Sequence, residues 1–220
     1  PLHALHLNYQ MQLAQSSGDG LVKFWVELGD KRRVLFVQLG KDLAQFIFIA
    51  PAFAQEGANV AISARTEADL RRTELELARV GSQQHVLAIP ADLSVSRDIR
   101  RVVRDTFNRF GQLGILVTHM GYGPPGRPSE FNDETIMTAL EGNFLSSVRF
   151  AREVIPYMKQ QRWGRIVHLL PSLGQRSSYG TALSATSQLA LIGYSKMLAN
   201  ELAPFNITVN NLMSGPVKTD

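Results

Sequence analysis

The sequence has no cysteine among its 220 residues. Disulfide bonds and thiolate chemistry are therefore excluded, which is typical of a protein from a reducing compartment, and we expect a cytoplasmic location. A metal site would need histidine and carboxylate ligands alone. The histidines show no spacing typical of metal ligands, so we expect no metal; they are His3, His6, His85, His119 and His168.

Long hydrophobic runs are also absent. The longest, Phe46–Ala54, is far shorter than the roughly 20 residues that a membrane-spanning helix requires. Nothing in residues 1–15 has the basic segment and apolar core of a secretory signal, so we expect no membrane partner. Hydrophobic residues make up 45% of the chain and charged residues 19%, which is typical of a folded globular protein rather than a disordered one.

The basic residues do not indicate a nucleic-acid partner. The net charge is only +4, and the clearest cluster is a stripe along one helix face, formed by Arg97, Arg100, Arg101 and Arg104. A nucleic-acid site would need further basic clusters on the same surface. We interpret the stripe as the solvated side of a helix whose apolar residues face the core; these are Ile99, Val102, Val103 and Phe110.

From residue 31 onward, short apolar runs alternate with longer amphipathic ones. The apolar runs predict six buried strands, at 34–39, 59–63, 85–89, 115–119, 165–170 and 208–212. The segments with helical spacing are 43–56, 67–80, 95–110, 133–161 and 183–203. This alternation predicts an α/β fold in a single domain: a doubly wound, mostly parallel sheet with helices on both faces. Residues 1–30 do not fit the pattern, and we interpret them as an N-terminal extension of unknown role.

Three segments near the end of the chain carry a resemblance to a known family. They read GRIVHLLPSLG at 164–174, ALSATSQLALIGYSKMLANELAPFNITVN at 182–210, and SGPVKTD at 214–220. The chain resembles the short-chain dehydrogenase/reductase family over about residues 33–220, with reductases of 3-oxoacyl and similar carbonyl compounds the most similar in character. The resemblance implies a Rossmann-type fold and an NAD(P)-dependent oxidoreductase ancestry. It also implies a C-terminal lid and a last strand, which we expect this chain to lack.

The family's catalytic pair is missing from the sequence. The resemblance implies a Tyr-x-x-x-Lys segment just before the apolar run at 189–192, but the two positions hold Ser184 and Gln188. None of the five tyrosines is followed by lysine four residues later. The family's serine position is Pro171, with Ser172 beside it, and its asparagine is present as Asn143. A serine hydroxyl is far less acidic than a phenol, and neutral glutamine cannot stabilise a phenolate, so we expect these positions to be non-functional.

The family's phosphate cradle is also altered. The resemblance places a Gly-x-x-x-Gly-x-Gly turn after the first strand, and here only Gly40 remains, followed by Lys41, while Ala44 and Phe46 replace the other glycines. A large ring at the start of the helix opposes close approach of a pyrophosphate. Three other family positions survive and could give weak binding: Arg65 for a 2′-phosphate, Asp92 for adenine, and Gly121. We therefore expect no cofactor or weak NADP(H) binding.

These observations favour a non-catalytic family member that binds a ligand or a partner. We expect a small-molecule ligand in the crevice at the carboxyl ends of the strands. The resemblance implies a homodimer or homotetramer formed through helices 133–161 and 183–203. Two alternatives stay open: an NADP(H)-dependent oxidoreductase acting on a carbonyl or hydroxyl substrate with a non-standard proton donor, and a non-redox enzyme that uses the same crevice.

Overall fold

The structure is a computed structural model that describes residues 35–38, 49–119, 121, 123–171 and 180–214. The interpretation of residues 1–30 as an extension lies outside the described residues. The strands of the described part are β1 (Leu35–Gln38), β2 (Val60–Ala64), β3 (Val86–Pro90), β4 (Ile115–His119), β5 (Gly164–Pro171) and β6 (Ile207–Ser214). Each of the six coincides with a strand predicted from the sequence to within two residues at either end.

The strands form one parallel sheet. Its order is β3-β2-β1-β4-β5-β6, and every neighbouring pair runs in the same direction. The chain therefore builds outward from β1 to one edge, crosses back, and builds outward from β4 to the other edge. This is the doubly wound arrangement that the alternating pattern predicted, and the prediction of the fold is confirmed.

In the described part of the chain, six α-helices connect the strands: α1 (Ile49–Gln55), α2 (Glu67–Val80), α3 (Ser96–Phe110), α4 (Asp133–Leu140), α5 (Ser146–Gln160) and α6 (Ala182–Leu202). Helix α2 has the predicted bounds. The predicted helix 133–161 is interrupted, because a π-helical turn, Glu141–Leu145, separates α4 from α5. A π-helical turn inserts an extra residue per turn and often marks a functional position. Among the described residues, no helix is both long enough and apolar enough to cross a membrane.

Helix α3 shows how the sequence determines one of these elements. Ile99, Val102 and Val103 share one face and are buried against the sheet. The predicted core contact of Phe110 is only partial, because its side chain is half-buried. The helix ends at Gly111, which has a φ of 73° and donates its N–H to the carbonyl of Phe107 at 2.7 Å. That left-handed conformation is one that glycine adopts without steric cost.

The arginine stripe of α3 lies on the solvent side, as predicted. Its charge is partly balanced within the same helix, since Arg97 and Arg101 lie 3.9 and 3.8 Å from Asp98. Arg104 lies 3.1 Å from Asp105. Exposed ion pairs of this kind contribute little to stability, about 0–1 kcal/mol each. They do reduce the net positive potential of this surface.

Apolar side chains fill both sides of the sheet. The side facing α3, α5 and α6 holds the larger cluster, which includes Leu116, Phe150, Met158, Ile166 and Val209. The other side, facing α1 and α2, includes Ile62, Leu70, Leu77, Val117 and Val167. Burial on both faces explains why the strands appear in the sequence as nearly continuous hydrophobic runs.

One buried polar pair interrupts the larger core. Thr118 in β4 and His168 in β5 are directly opposite in the parallel register, and Thr118 Oγ1 lies 2.6 Å from His168 Nδ1. Both side chains are 0% exposed, and among the described residues His168 Nε2 has no hydrogen-bond partner. Burial lowers the pKa of His168 to about 4, because the low-dielectric core disfavours the imidazolium.

This pair predicts that the protein loses stability in mild acid. The unfolded chain takes up a proton at His168 near pH 6.5, whereas the folded chain does so only near pH 4. The free energy of unfolding should therefore fall as the pH drops from about 7 to about 4, with this residue contributing a loss of about 3 kcal/mol. Denaturant unfolding measured at several pH values should show a shallower dependence for His168→Asn, which cannot titrate.

A second histidine provides the control. His85 is half-buried, and its Nδ1 lies 2.6 Å from Asn59 Oδ1. We expect His85→Asn to keep the acid sensitivity of the native chain, because the fully buried imidazole is still present. If His168→Asn and the native chain lost stability in parallel between pH 7 and pH 4, the buried imidazole would not be the cause.

Candidate functional site

The candidate site lies at the carboxyl edge of the sheet. The strand order reverses between β1 and β4, and crevices of doubly wound sheets open at that point. The predicted residues Gly40, Lys41 and Ser172 lie outside the described residues. The other predicted residues are described: Arg65 follows β2, Asp92 follows β3, Gly121 follows β4, Asn143 lies before α5, and Ser184 and Gln188 lie in α6.

Asn143 and Gly121 lie next to each other. Asn143 is in the π-helical turn Glu141–Leu145 and is buried. A Cβ atom placed on Gly121 would lie 3.6 Å from the Asn143 Oδ1 atom, so the backbone after β4 passes in van der Waals range of the amide. The structure therefore brings two of the predicted residues together at the end of β4.

Ser184 is held by a hydrogen bond that the sequence did not predict. The backbone N–H of Gly123 donates to Ser184 Oγ at 2.6 Å, across 61 residues of sequence. Ser184 is in the first turn of α6 and only 2% of its surface is exposed. The oxygen that stands at the family's proton-donor position is thus enclosed and already engaged by the protein itself.

Gln188 lies one turn further along α6. It is 0% exposed, as is Ser187 beside it. Ser187 Oγ donates to the Leu183 carbonyl at 2.9 Å, a bond within the helix that satisfies the buried hydroxyl without involving the site. A neutral amide that is fully buried in the helix interface cannot present a charge to a ligand in the crevice. That Ser184 and Gln188 do not act as the family pair stays a prediction.

Arg65 and Asp92 lie at the ends of neighbouring strands, β2 and β3. Asp92 Oδ1 accepts hydrogen bonds from the Ser94 hydroxyl at 2.7 Å and from the Ser94 backbone N–H at 3.0 Å. These two bonds lower the pKa of Asp92, and the positive charge of Arg65 adds to the effect. The carboxylate is therefore firmly ionised at neutral pH and oriented by its own loop.

Arg149 connects this loop to the π-helical turn, and sequence reasoning missed it. Its guanidinium donates to both carboxylate oxygens of Glu141, at 2.6 and 3.2 Å, and also to the Ser94 carbonyl at 2.9 Å. A bidentate pair of this kind is directional as well as favourable. Arg149 thereby fixes the loop after β3 relative to the turn that carries Asn143. The sequence offered no signal for this contact, because Ser94 and Arg149 are distant along the chain.

The chemical capacity of this arrangement is limited. It offers an amide at Asn143, an ionised carboxylate at Asp92 and a cation at Arg65, which suit binding of a polar ligand. Among the described residues, no group of three or more histidine, aspartate or glutamate side chains could hold a metal ion. His119 at the end of β4 is buried rather than open to the crevice.

Comparison with known proteins gives the family directly. A family model described as short chain dehydrogenase matches residues 47–220. Carbonyl reductase family member 4 of Xenopus laevis is 28% identical over 172 residues, which cover 78% of this chain and 70% of that protein. D-beta-hydroxybutyrate dehydrogenase of Cupriavidus necator is 29% identical over 171 residues, 78% of this chain and 66% of that protein. The 3-ketodihydrosphingosine reductase of Bos taurus is 29% identical over 169 residues, but the chain spans only 50% of its length.

Solved structures agree with this assignment. A double mutant of a short-chain dehydrogenase/reductase from Serratia marcescens superposes with a TM-score of 0.75 at 32% identity, covering 86% of this chain and 76% of that one. A variant of the actinorhodin polyketide ketoreductase, solved with NADPH, gives a TM-score of 0.77 at 27% identity, covering 85% of this chain and 71% of that one. With its family model, its sequence relatives and its fold in agreement, this chain belongs to the short-chain dehydrogenase family.

Proposed function

We propose that this chain is a non-catalytic member of the short-chain dehydrogenase family that binds a ligand or a partner protein. The observation that carries the proposal is the state of Ser184. Its hydroxyl oxygen accepts a hydrogen bond from Gly123 N–H at 2.6 Å, and its side chain is buried. A general acid must come within about 2.6–3.2 Å of the oxygen that it protonates, and with Gly123 in this position the buried Ser184 hydroxyl is covered on that side.

The chemistry of the two replaced positions supports the same conclusion. Proton transfer is most efficient when the pKa of the donor lies near the working pH, and an aliphatic hydroxyl is far above it. A cation beside the donor could correct this, but Gln188 is neutral and fully buried. Losing the acid and the group that would tune it removes the mechanism, not only part of its rate.

The dinucleotide that the family uses fits only one end of this site. At the adenosine end, Arg65 is exposed and Asp92 is ionised, which suits a ribose phosphate and an adenine amino group. At the nicotinamide end, the fully buried Gln188 supplies no ammonium for the ribose, and Gly123 N–H already engages the hydroxyl of Ser184. The residues present therefore do not fit the whole group, and we expect binding to be weak or absent.

A second candidate function is an NADP(H)-dependent oxidoreductase with a non-standard proton donor. The retained Arg65 and Asp92 favour it, as do relatives that are named as reductases and dehydrogenases. The substrate would be a carbonyl or hydroxyl compound, held near Asn143. A cytoplasmic location suits both candidates, because a chain without cysteine needs no oxidising compartment.

Nucleotide titration separates the two candidates. For the non-catalytic protein we expect NADPH to bind with a Kd above about 100 μM, which corresponds to less than about 5.5 kcal/mol. Thermal shift and NADPH fluorescence would measure this. With a panel of 3-oxoacyl and simple carbonyl compounds, we expect no consumption of NADPH. A Kd in the low micromolar range, or turnover at about 1 s⁻¹ or faster, would contradict the proposal.

A set of restored variants sharpens this test. Ser184→Tyr with Gln188→Lys restores only the family's acid–base pair. Ala44→Gly with Phe46→Gly restores only the glycines of the phosphate cradle. We expect neither pair to give turnover, because each leaves the other defect in place. Only the fourfold variant should gain measurable reduction of a carbonyl compound. If the first pair alone restored activity, the cradle of this chain would bind the cofactor well.

We also propose that helices 133–161 and 183–203 form a contact with a second copy of the chain. On α6, Leu189 and Met197 are 60% and 70% exposed, and Gly193 lies between them on the same face. Among the described residues, no atom outside the backbone of the helix itself lies within 4 Å of where a Gly193 Cβ would be, so the face is open at this position too. On α4, Met137 is exposed as well. Exposed apolar side chains grouped on one surface favour association between proteins.

The oligomer proposal predicts a change of mass in solution. Leu189→Glu combined with Met197→Glu should convert the native dimer or tetramer to a monomer, because a buried unpaired carboxylate strongly opposes association. Light scattering coupled to gel filtration would measure the mass. Leu75→Glu is the matched control, since Leu75 on α2 is equally exposed but lies on another face. A native chain that is monomeric at micromolar concentration would refute the proposal.

A further inference from the structure

The segment that begins at Gly123, after β4, packs closely against the first turn of α6. At Gly123, an added Cβ would lie 3.1 Å from Leu183 Cβ and 3.4 Å from the Ser184 backbone nitrogen. At the other end of the same segment, a Cβ on Gly180 would lie 3.4 Å from Pro125 Cβ and 4.0 Å from the backbone nitrogen of Gly126. The segment Gly123–Gly126 therefore packs against the first turn of α6 at one end and against Gly180, just before the helix, at the other.

We propose that Gly123–Gly126 is an autoinhibitory cover that closes the crevice over Ser184, held there by the Gly123–Ser184 hydrogen bond. The N–H of Gly123 takes the position that an oxygen of a ligand would need in order to contact Ser184. A ligand reaches this part of the crevice only after the bond breaks and the segment lifts. The inference rests on the proposed function, because it concerns how the same site is regulated.

The geometry explains why a glycine occupies position 123. The added Cβ of any other residue would lie 3.1 Å from Leu183 Cβ, which is closer than most real contacts, and 3.4 Å from the backbone nitrogen and Oγ of Ser184. A larger side chain would therefore hold the segment away from α6 and lengthen the 2.6 Å bond. The buried state of Leu183 and Ser184 depends on this close approach.

The inference is tested by hydrogen exchange at the Gly123 amide. Ser184→Ala removes the acceptor, and we expect the amide to exchange about fivefold faster, which corresponds to a net hydrogen bond of about 1 kcal/mol. Ser187→Ala is the matched control, because Ser187 is also buried in α6 but donates to the Leu183 carbonyl of its own helix. Removing the Ser187 hydroxyl should leave the exchange rate of the Gly123 amide unchanged. Equal acceleration in both variants, or none in either, would overturn the inference.

A chemical probe gives a second measurement. Since the chain has no cysteine, Leu183→Cys introduces a single thiol directly beneath the segment. We expect a small thiol reagent to label it about fivefold faster when Ser184→Ala is added than when Ser187→Ala is added. Equal labelling rates in the two backgrounds would contradict the cover.

The inference can also be tested without any variant. If the Gly123 amide of the native chain exchanged at the rate of an unstructured peptide, the inference would be overturned. Such a result would also remove the hydrogen bond cited for the proposed function, which would then rest on the chemistry of positions 184 and 188 and be decided by NADPH turnover, a separate measurement. Conversely, turnover with a protected Gly123 amide would refute the proposed function and leave the hydrogen bond intact.

Discussion

Parallel pairing of the six strands is the constraint on which the rest of this structure depends. Parallel neighbours cannot be joined by tight turns, so each connection crosses back over a face of the sheet, as a helix in most cases. All carboxyl ends then meet at one edge. The fold therefore places residues that are far apart in sequence, such as Asp92 and Ser184, at that edge. Their side-chain types do not determine this placement. The position of the crevice is therefore set by the strand pairing and not by the side chains that line it.

The fold was predictable because this constraint leaves a local signature. Strands buried on both faces are continuous hydrophobic runs, and their covering helices have one apolar side. Helix α2 at Glu67–Val80 and strand β4 at Ile115–His119 were predicted with the observed bounds. The π-helical turn Glu141–Leu145 was not predicted, because one additional residue in a turn barely changes the spacing of apolar positions.

The site was predictable in its positions but not in its contacts. Asn143 and Gly121 were expected in the crevice from the family resemblance, and the structure places them side by side. The bond from Gly123 to Ser184 joins residues 61 positions apart, and it depends on how the segment that contains Gly123 packs against α6. No local pattern encodes such a distance. The same holds for Thr118 and His168, whose pairing follows from strand register alone.

The volume of the side chain at position 184 affects both the proton donor and the position of the Gly123–Gly126 segment. Ser184 Oγ lies only 2.6 Å from the backbone nitrogen of Gly123, so a tyrosine ring that left Cβ in the same direction would meet the Gly123 backbone. The interior is close-packed, so the ring and the segment could not occupy that space together. The small serine lets the segment pack against α6, and its Oγ accepts the hydrogen bond from the Gly123 N–H. The two proposals, loss of the proton donor and closure of the crevice, therefore share one cause, a change in side-chain volume, and each is measured by a different experiment.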